Sequence, residues 1–412
     1  MFNFIQKITR DTREIPFGVK LVVLVLFLRS FGWGFVDPFY SMFVQGFSTS
    51  YSGVGSLISI VNLASLLALI PLIRLADKVQ HITIMRDGEL IYLVAILFYL
   101  LAAYTRLMPF LIIAFILNGI AYPFVIVGAE TYIRKKCKGR NEGASFGFYT
   151  ALHYLGWILG MLVSAYTIQF YGFNLMFIFI LPSILAGFLI LRHVKESGLK
   201  SIFSGFRRYL HRRQDFVDMW DDLKSVQKRT YFFLLLAFFD GILVMFAFIF
   251  IPLLALSLGF ELKEIALLMA ATYIPFLFSF FVSELSESVN RMTMIAFGLL
   301  IGALSFIFLS LLSGHFWVLT LTMANSLALA IIRPSYNGVL THITPRRILG
   351  EVTSLNNIMM RLGYVVGPIF IGFFADHFGL TYAFYTLAIF ALILSAISLL
   401  FRGYEVLVPR EG

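Results

Sequence analysis

Charge is scarce in this chain. Only 13% of its 412 residues are Asp, Glu, Lys or Arg, against 60% hydrophobic ones, whereas soluble domains average about 25% charged. No water-soluble fold hides that much apolar side chain, so lipid is the expected solvent. Cysteine is nearly absent. The single residue, Cys137, excludes an intrachain disulfide framework and a thiolate metal cluster. The period-2 alternation of a transmembrane barrel is missing. No His-Glu-x-x-His occurs, and His153 has no nucleophile at matching depth. An enzyme is therefore not expected, and no catalytic residue, metal site or cofactor is assigned. Long polar stretches are lacking except for one, His193–Arg229, at the middle of the chain. No small-x-small site follows the first apolar segment, which is too long for a leader's apolar core, so it reads as a retained membrane helix.

What is present is a series of twelve apolar segments, from Val19–Phe43 through Glu89–Thr105 and Thr230–Ser257 to Leu380–Phe401. Most are near the roughly 20 residues that cross a bilayer core as a helix. The expected class is an all-α polytopic membrane protein with twelve transmembrane helices. With the N-terminus in the cytoplasm, inner loops hold 27 of the 32 Lys and Arg residues. Outer loops hold Arg106 and Lys263, and Arg29, Arg333 and Arg361 lie inside helices. This bias predicts a plasma-membrane protein with both termini cytoplasmic. It also accounts for the net charge of +10 without nucleic acid.

The two sides of the polar run resemble one another. At an offset of 207 residues, LGWILG (Leu155–Gly160) falls on LGYVVG (Leu362–Gly367), Gly172 on Gly379, Phe177 on Phe384 and Asn118 on Asn325. With a three-residue adjustment, DKVQHITIM (Asp77–Met85) falls on ESVNRMTMI (Glu287–Ile295). Two pseudo-symmetric six-helix bundles follow, at 1–192 and 230–412, joined by a cytoplasmic linker at 193–229. Duplicated membrane bundles of this kind are a transporter architecture. In the linker, the basic Arg207–Arg213 suits an anionic leaflet, and Asp215–Asp222 fits a short surface helix or a solvated tether.

On its motifs the chain resembles the major facilitator superfamily. The stretch IRLADKVQHI (Ile73–Ile82) carries Leu75, Ala76, Asp77 and Lys78 of the family's loop between helices 2 and 3, though Ile73 and Gln80 replace its glycines. Pro38, Tyr40 and Gly46 match its helix 1 pattern, and GYVVGP (Gly363–Pro368) has the G-x-x-x-G-P form on helix 11. The resemblance implies a secondary transporter working by alternating access, with Asp77, Lys78 and Gly350 as gating residues. Asp77 would meet the start of helix 11 near Gly350, where the helix dipole favours a carboxylate.

Charges inside a bilayer cost about 2.5–3.5 kcal/mol each even on lenient scales, so their positions are informative. Arg29, Trp33 and Asp37 share a stripe on helix 1, and His153 and Trp157 share one on helix 5. Asn325, Arg333 and Asn337 lie along helix 10, Arg361 and Tyr364 along helix 11, with Asp240 on helix 7 and Glu130 on helix 4. Helices 3, 6, 9 and 12 carry no charge away from their ends on this reading. Arg29, Trp33, His153, Trp157, Asn325, Arg333, Asn337, Arg361 and Tyr364 are the candidate substrate contacts. Asp240, Asp37 and Glu130 are the candidate proton-coupling groups. Each has a plainer reading: Arg29 or Arg361 as a partner locked to Asp240, His153 as a packing residue, Glu130 as a helix-end ion pair with Arg134. Three arginines against fewer carboxylates favour an anionic solute, while the aromatic content allows an amphipathic one. The expected partners are a small organic molecule, protons and the lipid bilayer, with a monomeric chain. A proton-driven exporter of drugs or lipids, and a non-transporting sensor or scaffold, stay open.

Overall fold

The computed structural model describes residues 15–76, 79–137, 140–194, 196, 230–278, 289–344 and 349–402. These form twelve helices and, among the described residues, no strand. In chain order they are α1 (Phe17–Gln45), α2 (Tyr51–Ala76), α3 (His81–Thr105), α4 (Met108–Lys136), α5 (Arg140–Leu175), α6 (Ile180–His193), α7 (Thr230–Ser257), α8 (Leu262–Leu277), α9 (Arg291–Leu311), α10 (His315–Ile343), α11 (Leu349–Phe378) and α12 (Leu380–Leu400). A 3-10 turn, Met176–Phe179, leads into α6. Eleven helical stretches are long and apolar enough to cross a membrane, α8 being the exception among the described residues. The chain is an all-α, multi-pass membrane protein. Residues 197–229, including both linker segments singled out above, lie outside the described residues, as do Asp77 and Lys78.

The duplication is visible in how each half is packed. A Cβ on Gly156 of α5 would meet the Phe27 carbonyl of α1 at 2.6 Å. In the second half Gly363 of α11 meets the Phe238 carbonyl of α7 in the same way. Gly160 and Gly367 repeat the approach one turn further along, against Phe31 and Ile242. Backbones this close need small residues at the contact. The pairs α3–α4 and α9–α10 use Gly88 and Gly298 likewise, against Phe124 and Ile332. Gly172 and Gly379 both have positive φ, 64° and 88°, and each turns the chain into the last helix of its half. Open space surrounds both, so it is the left-handed backbone that selects glycine there.

Compactness groups residues along different lines from the duplication. Met1–Asp37 with Leu63–Asp218 forms one unit, and Pro38–Asn62 with Met219–Gly412 forms the other. The first boundary falls at Pro38 inside α1, where proline removes a backbone donor and weakens helix continuity. Within the second unit the start of α2 runs along α11. Asp376 accepts the backbone N–H of Tyr51 at 2.7 Å and of Ser52 at 2.8 Å, and Ser59 Oγ donates to the Val365 carbonyl at 2.7 Å.

Candidate functional site

In the first unit the polar side chains gather around Arg29. The residue is buried on α1, and its Nη1 donates to Glu89 Oε1 at 3.4 Å. Its guanidinium lies 3.7 Å over the ring of Tyr92 and 5.9 Å from that of Tyr122. Glu89 and Tyr92 come from α3, so this helix does carry a membrane-depth charge, contrary to the expectation above. The physical reason is simple. An apolar-run reading starts a span after the last charge, and Arg86, Asp87 and Glu89 pushed that start to Glu89, whereas α3 begins at His81. Glu89 is fully buried. Trp33 packs edge-on against Tyr92 and Tyr99, at 5.9 and 6.4 Å, and it is the Tyr92 ring that lies 3.7 Å under Arg29. Asp37 is buried one turn further along α1.

His153 is held by a directional chain of hydrogen bonds. Trp157 Nε1–H donates to His153 Nε2 at 3.3 Å. The imidazole proton then belongs on Nδ1, which lies 2.7 Å from Ser30 Oγ. Ser30 in turn donates to the Leu26 carbonyl at 2.8 Å. Every donor has one acceptor, and α5 is tied to α1. Tyr149 is buried nearby, within electrostatic range of Glu130, Tyr122, Tyr154 and Arg29, while Glu130 itself is half-buried on α4.

In the second unit the focus is Asp240 on α7. Arg333 grips it through Nε at 2.9 Å and Nη2 at 3.1 Å, and Tyr336 donates its hydroxyl at 3.1 Å. An ion-pair partner of Asp240 is thus Arg333, from the same unit. Arg333 and Tyr336 reach it together because they lie three residues apart on α10. Asn337 Oδ1 accepts from Asn356 Nδ2 of α11 at 3.0 Å. Arg361 and Tyr364 are half-buried on α11. Asn325 is fully buried beside Gly302 of α9. Its repeat partner Asn118 donates to the Tyr99 hydroxyl of α3 at 2.8 Å, so both asparagines face the helix that precedes their own. Gly350 sits in the first turn of α11.

Sequence reasoning missed Glu89, Ser30, Tyr92 and Tyr336. Tyr336 had a signal, its three-residue spacing from Arg333. Arg29 and Asp240 hold equivalent places: each lies two residues beyond the carbonyl, of Phe27 or Phe238, that meets the paired glycine. Each half therefore carries one ion pair anchored at the same point of its first helix, with the sign reversed. Glu89 also removes the surplus of positive charge that the arginine count suggested.

The comparisons agree with this architecture. A profile of the Major Facilitator Superfamily matches residues 22–274 and 230–411. No curated protein matches in sequence. Among solved structures, the nucleoside transporter NupG aligns with a TM-score of 0.74 at 13% identity, over 93% of this chain and 99% of that one. A POT family transporter in complex with 5-aminolevulinic acid aligns at 0.75 and 12% identity, over 94% and 96%. The human organic anion transporter MFSD10 (TETRAN) aligns at 0.66 and 14% identity, over 93% and 100%. Identities this low speak for the fold alone. The profile spans most of the sequence, and the chain belongs to the Major Facilitator Superfamily.

Proposed function

We propose that this protein is a proton-coupled secondary transporter that moves a small amphipathic organic solute across the plasma membrane by alternating access. Both termini are cytoplasmic on this reading, and the working form is a monomer. The observation that carries the reading is the pair of ion pairs, Arg29–Glu89 and Asp240–Arg333, at equivalent points of the two halves. Helix packing alone does not require charges at membrane depth, and each is costly there. Because Arg29 and Arg333 each have a carboxylate, the charge within these pairs is balanced and favours a solute that is neutral overall or carries both signs. Tyr122, Tyr154 and Trp157, none of them fully buried, offer aromatic faces for its apolar part. An anionic solute is the second reading, supported by the placing of Arg361, half-buried, on α11. The neighbours include nucleoside, peptide and organic anion transporters, and this breadth is compatible with either. Asp37, Glu130 and Asp240 remain candidate proton carriers, and Asp77, Lys78 and Gly350 candidate gate residues.

Flux into proteoliposomes under an imposed pH gradient tests the reading. Uptake of a solute first found by its thermal stabilisation of the purified protein is expected to depend on the gradient and to fall at least tenfold in Arg29→Ala. Binding without flux would identify a sensor instead. Stabilisation only by hydrophobic cations or lipids, with gradient-driven efflux, would favour the exporter.

A further inference from the structure

Two buried carboxylates sit in ion pairs of opposite quality. Asp240 receives three hydrogen bonds, two from Arg333 and one from Tyr336, all at 2.9 to 3.1 Å. That arrangement replaces much of what water would supply. Glu89 receives one contact, at 3.4 Å, which is long for a charge-assisted bond. Its second oxygen is buried with no donor from the described residues, and Arg29 Nη2 is buried with no acceptor from them. A pair with one long contact recovers little of the solvation that both charges gave up.

Among the described residues the surroundings add no other cation acting on Glu89. From α1 the charge facing Glu89 is Arg29. From its own helix Tyr92 is adjacent, and Tyr122 of α4 approaches the same cluster. From α6 the nearest feature is Gly187, where a Cβ would lie 4.0 Å from Glu89 Oε1. His153 of α5 is within electrostatic range of Arg29, and Trp157 and Ser30 occupy both its nitrogens. Arg29 meanwhile has a second partner in the face of Tyr92, a contact that does not depend on the charge of Glu89.

We infer that Glu89 is the proton-exchanging carboxyl of the first half: it takes a proton on its uncommitted oxygen, the pair with Arg29 breaks, and Arg29 is released toward the solute. The last step rests on the transport reading above. The proton exchange does not, and its test needs no solute.

Infrared difference spectra of the full-length protein in liposomes, stepped in pH, report carboxyl protonation directly. A protonated-carboxyl band that titrates in the parent protein, is lost in Glu89→Gln and persists in Asp240→Asn is expected. A band that persists in Glu89→Gln, or that vanishes in Asp240→Asn, overturns the inference. Should Glu89→Gln fail to fold, dicyclohexylcarbodiimide, an apolar reagent that attacks protonated carboxyls, is applied to the unmodified chain and its site read by peptide mass spectrometry. Labelling of Glu89 that fades as pH rises, with Asp240 untouched, supports the assignment; labelling of Asp240, Asp37 or Glu130 in its place refutes it. If the band titrates as expected and no solute shows flux, the transport reading fails and the proton site stands.

Discussion

Asp240 shows how much a single side chain depends on its partners. Replacing it with Asn keeps the shape and leaves the Arg333 guanidinium facing a neutral amide. Breaking a buried pair from one side costs about 3–5 kcal/mol. Arg333 is 28% exposed, so water covers part of the loss and about 2–3 kcal/mol is the expected effect. Tyr336→Phe removes one hydrogen bond to a charged group and is expected to cost about 1–2 kcal/mol. Pairing Asp240→Asn with Arg333→Gln should recover part of the single-mutant loss, because no charge is then left without its counterpart. Melting curves of the detergent-solubilised proteins check all three, and a double variant less stable than either single would contradict the pairing. At this scale the sequence was only half legible. Depth and spacing picked out Arg29, Asp240 and Arg333 as chemically meaningful. Which carboxylate faces which arginine depends on how α1 meets α3 and how α7 meets α10, and no local pattern encodes those approaches.

Helix pairs were easier to read, because the glycines aligned between the halves on α5 and α11 mark close approach. The aligned LGWILG and LGYVVG segments become the two contacts of α5 on α1 and of α11 on α7. Two glycine substitutions should separate packing from backbone strain. In Gly363→Ala the new methyl would overlap the Phe238 carbonyl, and helix backbone gives way only by moving the whole helix. In Gly379→Ala nothing lies within 4 Å, and the cost is that of a left-handed residue, about 1–2 kcal/mol. Gly363→Ala is expected to abolish monodisperse protein on size exclusion, while Gly379→Ala only lowers the melting temperature. The contact of α2 with α11 is of another kind. Asp376 caps the two leading N–H groups of α2 from a neighbouring helix, whereas α8 caps itself through Glu261 and Glu264. Asp376→Asn should therefore cost about 0.3–1 kcal/mol, the usual value of an exposed carboxylate at a helix start, and the deficit should shrink in high salt. A deficit insensitive to salt would point to packing rather than charge. Nothing in the sequence announced this cap, since the acid and the helix it serves lie more than three hundred residues apart.

Over the whole molecule the duplication organises more than helix contacts, because each half also ties its exit to the start of its own third helix. Gln80, just before α3, donates its side-chain amide to the Glu196 carbonyl at 2.7 Å, and Asn290, just before α9, donates to the Arg402 carbonyl at 3.4 Å. The alignment of DKVQHITIM with ESVNRMTMI already paired Gln80 with Asn290; it did not reveal what they hold, because the exit segments carry no shared motif. The two ties are not identical. After Gln80 the Glu196 carboxylate also accepts the Ile82 N–H at 2.9 Å and lies 3.0 Å from His81 Nδ1. Burial on its own would raise the affinity of this carboxyl for protons, but the His81 and Ile82 hydrogen bonds, with the charges of His81 and Lys135, outweigh it and hold the group below the usual carboxylate range. A carboxyl depressed in the folded chain stabilises the fold above its unfolded value, near about 4.3, and loses that contribution as pH falls through the lower folded value. Glu196→Gln is therefore expected to melt below the parent protein at neutral pH, with the two converging as the pH is taken down to about 3. Melting curves that stay parallel across that window would mean that the anchor is the backbone carbonyl of Glu196, held by Gln80 as Arg402 is held by Asn290, and that its charge contributes nothing to tying the first half to the middle of the chain.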